Sequence, residues 1–292
     1  MKNHHRSIKD ALLVYGLEIN DLEKYEFVLH SVSVLANDAK LSLIPVYTNI
    51  RDLGPKNNID FWQDFWVKEF MGAAFAAIAH AFSNRLTSVY IAATDDIPGL
   101  ALLKKQCPTP FGSHPLIDQN YSSADLQIKH DGMCLSMLDK TKLVAEWDLA
   151  LQHLRVCNCV KSYKPDLFNC GRCEKCVRTM LALLVVDALD KTTSFAEHNV
   201  SEEKLQNIEI PRPITKGGYS GERYYLELIP YLVQKGRYDL VRGIKRLVWR
   251  SHHSWMNPKN KIKQLNKCIT KAVSQFCDVI FYQGAKEKIT RA

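Results

Sequence analysis

Cys157-Asn-Cys159 and Cys170-Gly-Arg-Cys173-Glu-Lys-Cys176 carry five of the nine cysteines of this chain. Two Cys-x2-Cys steps share Cys173. Thiolates bind Zn²⁺ tetrahedrally, and this spacing lets one tight turn aim two sulfurs at the same ion. Gly171 suits the backbone conformation that such a turn needs. Cys170, Cys173 and Cys176 supply three ligands. The fourth is Cys157 or Cys159, with Cys157 preferred because Leu154-Arg-Val-Cys157 reads as a strand end that would hold its thiol in place. A disulfide cluster belongs to secreted proteins, and nothing here looks secreted. A redox pair needs two cysteines, and a third in register argues for metal. Four thiolates fill the coordination shell, so the ion is expected to be structural rather than hydrolytic. Cys107, Cys134, Cys268 and Cys277 are scattered and read as packed thiols.

Upstream of the cysteines the apolar pattern alternates between strands and helices. Asp10-Ala-Leu-Leu-Val-Tyr15-Gly16 is a short apolar run ended by glycine, the signature of a buried strand. Residues 21–40 have helical spacing, with Leu22, Tyr25, Val28, Leu29, Val32 and Leu35 on one face and Asp21 as the capping residue. Residues 41–49 form the next strand, 60–82 a long helix and 86–93 a third strand. Such alternation predicts an α/β fold, a parallel sheet with helices on both faces. A proline-rich segment over 95–122 is expected outside the strand ends, where open α/β sheets bind ligands. Residues 125–130 read as a short strand, 138–147 as a helix, 151–156 as the lead into the cysteine loop, and 174–189 as a helix. The α/β domain is expected over 1–192 and a polar linker over 193–218. A basic helical region follows over 219–292, with helices near 221–235, 237–250 and 259–280.

With 292 residues, 46% hydrophobic and 24% charged, the composition is that of an ordinary globular protein. No apolar run reaches the roughly 18 residues needed to span a bilayer. No signal-peptide core follows the basic N-terminus. Together with a reduced thiol cluster, this points to the cytoplasm. The charge is uneven: from Lys235 onward fourteen Lys and Arg face three acidic residues, a local +11 within a net +8.

Several segments in fixed order resemble PP-loop ATP pyrophosphatases, of the adenine-nucleotide α-hydrolase superfamily, in the branch of 7-cyano-7-deazaguanine synthase. They are Leu12-Leu-Val-Tyr-Gly16-Leu-Glu, Pro45-Val-Tyr-Thr48-Asn49, Gly72-Ala-Ala-Phe-Ala-Ala-Ile-Ala, Gly112-Ser-His-Pro115-Leu-Ile-Asp118, His130-Asp-Gly132, Leu154-Arg-Val-Cys157 and Asn169-Cys-Gly-Arg-Cys-Glu-Lys-Cys-Val-Arg178-Thr. The cysteine segment is the specific part. The resemblance implies a Rossmann-like fold, ATP and Mg²⁺, and a four-cysteine structural zinc. The implied reaction adenylates a carboxylate or carbonyl oxygen of a small molecule or modified base, and a nitrogen or sulfur nucleophile then displaces AMP. It also implies that Tyr15, Gly16 and Leu17 contact adenine, that Thr48 and Asn49 line the same site, and that Ser113 and His114 touch substrate or phosphate. For Ser113 and His114 the plainer alternative is a turn; for Thr48 and Asn49 it is capping of the following loop.

The family's Ser-Gly-Gly-x-Asp-Ser pyrophosphate loop has no counterpart here. Residues 8–16 match the family's second strand, so the first strand and its loop are expected upstream of Met1. Losing that strand would expose two hydrogen-bonding edges inside the sheet. The chain is then a shortened form, is completed by a partner chain, or has an adapted fold. Arg155, Lys175 and Arg178 beside the cysteines either contact phosphate or offset the −2 charge of a four-thiolate zinc. The basic tail is either a nucleic-acid or membrane contact or a small subdomain with a solvated basic face. A second functional class follows from it: a non-catalytic, zinc-stabilised scaffold that docks a partner or nucleic acid through the tail.

Overall fold

The computed structural model describes residues 7–53, 65–93, 112–157, 169–210 and 221–256. The start of the expected helix over 60–82, the whole of that over 259–280, Cys159 and most of the proline-rich segment lie outside these residues.

The first unit is a strand, a helix and a parallel strand: β1 (Asp10–Tyr15), α1 (Leu22–Asp38) and β2 (Ser42–Tyr47). β1 and β2 pair from Asp10↔Ser42 to Tyr15↔Tyr47. Asp21 caps α1 as its sequence position predicts, its carboxylate accepting the Lys24 amide at 3.0 Å. Tyr25 and Val28 of α1 are buried against Leu13 and Tyr15 of β1, and the Tyr25 hydroxyl donates to the Leu13 carbonyl at 2.8 Å. A second parallel pair joins β3 (Ser88–Ala92) to β4 (Gln127–Asp131), from Ser88↔Gln127 to Ala92↔Asp131.

Helix α2 (Met71–Ala81) bridges the two pairs. Its Met71, Ala74, Phe75 and Ile78 pack with Val14 and Leu17 beside β1. Its Ala76 and Ala79 pack with Val89, Ile91 and Ile128 of β3 and β4. One continuous sheet was expected; among the described strands there are two sheets of two. The molecule is therefore mixed α/β with small parallel sheets, and no described strand lies between β1 and β3.

The largest core belongs to the cysteine half. It collects Leu138 from α3 (Met137–Ala145), Leu151 from α4 (Asp148–Gln152), and most of α5 (Glu174–Val185). Leu205 from α6 (Glu202–Gln206), Leu232 from α7 (Ile229–Gln234), and Leu240, Ile244 and Leu247 from α8 (Tyr238–Met256) complete it. Two expectations need correction. Residues 154–157 are not a strand end: 151–152 close α4, and 154–157 are irregular. Residues 193–210 are not a linker, because Phe195, Val200, Leu205, Ile208 and Ile210 are buried in this core. Among the described residues no helix is long and apolar enough to cross a membrane.

Candidate functional site

Cys157, Cys170, Cys173 and Cys176 converge as the sequence spacing predicts. Their four sulfurs lie within 4.8 Å of one another. Cys157 Sγ is 3.9 Å from Cys173 Sγ, and Cys170 Sγ is 3.8 Å from Cys176 Sγ. Sulfurs bound at about 2.3 Å around a tetrahedral ion stand about 3.8 Å apart, so the set has the dimensions of a four-thiolate metal site. All four are free thiols, and Cys157 and Cys176 are buried. Gly171, with φ +66°, turns the chain between Cys170 and Cys173, and the Cys173 amide donates to Cys170 Sγ at 3.3 Å. Cys173 precedes the first turn of α5 and Cys176 lies within that turn, so a rigid helix holds two of the four ligands.

The thiols constrain one another. Burial alone would push Cys170 up, but amide donors from Arg172 and Cys173 outweigh it and bring the thiol down to about 6. Burial pushes Cys173 up to about 12, and it raises Cys176 as well. With no cation, one thiolate makes its neighbours keep their protons. A divalent ion among the sulfurs removes that conflict, so the donor set fits a metal such as zinc.

Asn169 makes the site possible, and the sequence reading gave it no role. It is 3% exposed. Its side-chain oxygen accepts the amides of Val156 at 2.9 Å and Cys157 at 3.2 Å. Its side-chain nitrogen donates to the carbonyls of Leu154 at 2.8 Å and Ser194 at 2.9 Å. This side chain does what a neighbouring strand was expected to do: it fixes the backbone that presents Cys157. An asparagine directly before a ligand cysteine was the available signal.

Of the basic residues singled out near the cysteines, Arg178 has local partners. Arg178 Nη1 is 3.4 Å from Glu174 Oε1, and its guanidinium lies over the Tyr224 ring, 4.4 Å from the centroid. Lys204 Nζ, not foreseen here, donates to the Gly171 carbonyl at 3.1 Å.

The other candidates gather at the ends of β1 and β2. The Thr48 amide donates to the Tyr15 carbonyl at 3.1 Å. Gly16 has φ +91°, and a Cβ there would sit 1.9 Å from the Thr48 carbonyl oxygen, so only glycine allows the two strand ends to meet. Thr48 Oγ1 accepts the Ile50 amide at 3.2 Å, and the Asn49 carbonyl accepts the Asp52 amide at 2.7 Å; both residues cap the following turn. Leu17 packs on buried Trp66. Arg51 lies over the Trp66 ring at 4.7 Å and donates to the Leu17 carbonyl at 3.0 Å.

Ser113 and His114 lie across Trp66 from this cluster. Residues 66–70 form a π-helical turn, whose shifted hydrogen bonding frees backbone groups. Gly112 takes them up, donating to the Val67 carbonyl at 2.6 Å and accepting from the Gly72 amide. Asp118, completely buried, then organises the loop. It accepts the Ser113 hydroxyl at 2.7 Å, the His114 amide at 3.1 Å and His130 Nε2 at 2.8 Å. His114 Nδ1 accepts the Leu116 amide at 3.1 Å. Ser113 and His114 therefore shape a turn around Asp118 in this structure. Asp118 itself, quoted in the motif but given no function, is the centre of the network.

Fold and site define a mixed α/β protein with two small parallel sheets and a four-cysteine site able to hold a metal ion. Compared with protein-family models, curated proteins and solved structures, the chain gives no match.

Proposed function

We propose that this chain is a PP-loop-like adenine-nucleotide-binding protein, in the manner of 7-cyano-7-deazaguanine synthase, with a structural zinc on Cys157, Cys170, Cys173 and Cys176. The observation that carries the nucleotide reading is the junction of Tyr15, Gly16 and Leu17 with Thr48 and Asn49. Tyr15 and Gly16 meet Thr48 at the ends of parallel strands, with Leu17 and Asn49 next to them in sequence, at the edge where α/β sheets take ligands. The Gly112–Asp118 loop flanks that junction across Trp66. The pyrophosphate of ATP needs amide donors, cations and Mg²⁺, and the Ser-Gly-Gly-x-Asp-Ser loop that would supply the amides is missing from these 292 residues. The chain therefore binds nucleotide and does not adenylate a substrate by itself. The zinc reading rests on the sulfur spacing and donor set.

The test is calorimetric titration with ATP and AMP, with and without Mg²⁺, on the metal-loaded chain, the Gly16→Ala variant and the Asn49→Ala variant. Nucleotide binding weakened at least tenfold in both variants, with metal content unchanged, supports the reading. No binding at millimolar nucleotide removes it. Chain-dependent pyrophosphate release from ATP and a carboxylate would overturn the claim of inactivity.

A further inference from the structure

Between β1 and β3 lies a cavity of about 810 Å³. Leu12 and Val14 of β1, Val89 and Ile91 of β3, and Phe75 and Ile78 of the bridging helix α2 line its apolar middle. At one end Arg85 Nη2 reaches across to Asp10 Oδ1 at 2.7 Å. Among the described strands, β1 pairs with β2 alone and β3 with β4 alone. Lys9 and Tyr15 bond towards β2, and Thr87 and Ala93 bond towards β4. Parallel pairing sends successive residues to alternate sides. The backbones of Leu12, Val14 and Ser88 consequently face the cavity, and that of Ala92 turns to the same side of β3. Two-stranded parallel sheets are not stable as isolated units, and here two of them share one gap and one covering helix.

We propose that this slot takes up the segment Asp278-Val-Ile-Phe-Tyr-Gln283 of the same chain as a fifth strand, joining the two pairs into one sheet. Three features of the chain select this occupant. Val279-Ile-Phe-Tyr282 is an unbroken apolar run of strongly strand-forming residues. A strand buried on both faces of a parallel sheet reads that way, because neither face admits polar side chains. Gly284 follows two residues later, as a strand end requires. The segment is also within reach: twenty-one residues separate it from the end of α8 at Met256, and extended they span up to about 70 Å. This inference is independent of nucleotide binding.

Amide hydrogen exchange on the full chain tests it. The amides of Leu12, Val14, Ser88 and Ala92 are expected to be protected, and Ile280→Pro is expected to speed their exchange more than about tenfold. Ile280→Val is expected to leave them protected. The amides of α5 serve as the control that each variant is folded. A synthetic peptide spanning 274–286, added to a chain ending at residue 275, should restore the protection. Fast exchange in the full chain overturns the proposal, because the slot is then open. Protection that survives Ile280→Pro, or that rises with protein concentration, overturns it as well. The first outcome assigns the slot to another polypeptide, and the second to a strand from another copy of the chain.

Discussion

Asn169 uses both amide protons and both acceptor positions of its side chain on four backbone groups. Asn169→Ala removes all four partners at once, and each buried group left unpaired costs about 1–3 kcal/mol. The variant is expected to lose about 3 kcal/mol or more of stability in urea unfolding and to bind metal more weakly, because Cys157 loses its support. Asp118 shows a different dependence. Burial by itself would raise its carboxyl, but hydrogen bonds from His130, Ser113 and the His114 amide outweigh burial and hold it below the ordinary 3.8. Its contribution to stability is complete above that ordinary value and is lost as pH falls through the lowered folded value. The stability gap between wild type and Asp118→Asn, measured by urea unfolding at pH 7, 5 and 3, should therefore be constant from 7 to 5 and narrow towards 3. A gap unchanged at pH 3 would show that the carboxylate charge contributes nothing. The cysteines were legible from spacing alone because metal chemistry fixes which residue types can serve. Asn169 and Asp118 were not, because a polar residue carries no sign in sequence of whether it is buried, and only the place of Asn169 directly before Cys170 set it apart.

Helix α5 joins the metal site to the core: Cys176, Val177, Met180 and Leu181 occupy one buried stripe, with Cys176 both ligand and core residue. Cys173→Ser should reduce bound zinc from one per chain to near none by elemental analysis, and should increase amide exchange across the first turns of α5. A fully loaded variant would remove Cys173 from the ligand set. Chelation of the wild type should produce the same exchange pattern, since bound metal stabilises only the folded site. Elements with a strong period were readable: β1 and β2 as apolar runs, α1 from its stripe and its Asp21 cap. Residues 154–157 misled because Leu154 and Val156 suit a strand, whereas the hydrogen bond that Val156 donates goes to the Asn169 side chain. Residues 193–210 misled because their buried positions, Phe195, Val200, Leu205, Ile208 and Ile210, follow no period. Their order comes from contacts distant in sequence, such as the Ser194 hydroxyl on the Leu151 and Gln152 carbonyls.

Charge suggested that the chain ends in a basic appendage, and packing gives α8 a different place in the molecule. Leu240, Ile244 and Leu247 are at most 1% exposed, in the same core as Cys157 and Cys176. The cations beside them reach back to the body. Arg242 and Arg246 pair with Glu202, Arg250 donates to the carbonyls of Leu205 and Gln206 at 2.7 and 2.6 Å, and Lys235 pairs with Asp187 at 2.5 Å. Exposed ion pairs contribute little individually, so the apolar stripe is the main anchor and the arginines fix its register against α6. Leu240→Ala should then cost about 2–5 kcal/mol, whereas Arg242→Ala should cost less than about 1 kcal/mol. Because α8 and the cysteines share one core, loss of α8 packing and release of metal should occur together. Urea unfolding followed by Trp249 fluorescence and by a zinc-sensitive dye should give coincident midpoints in wild type, both shifted by the same amount in Leu240→Ala. If α8 were an appendage, the fluorescence midpoint alone would move and the metal would stay bound at its original midpoint. A chain ending at residue 236 would then keep its zinc and its stability. With a shared core, that chain exposes the buried faces of α5 and α6, and should lose both.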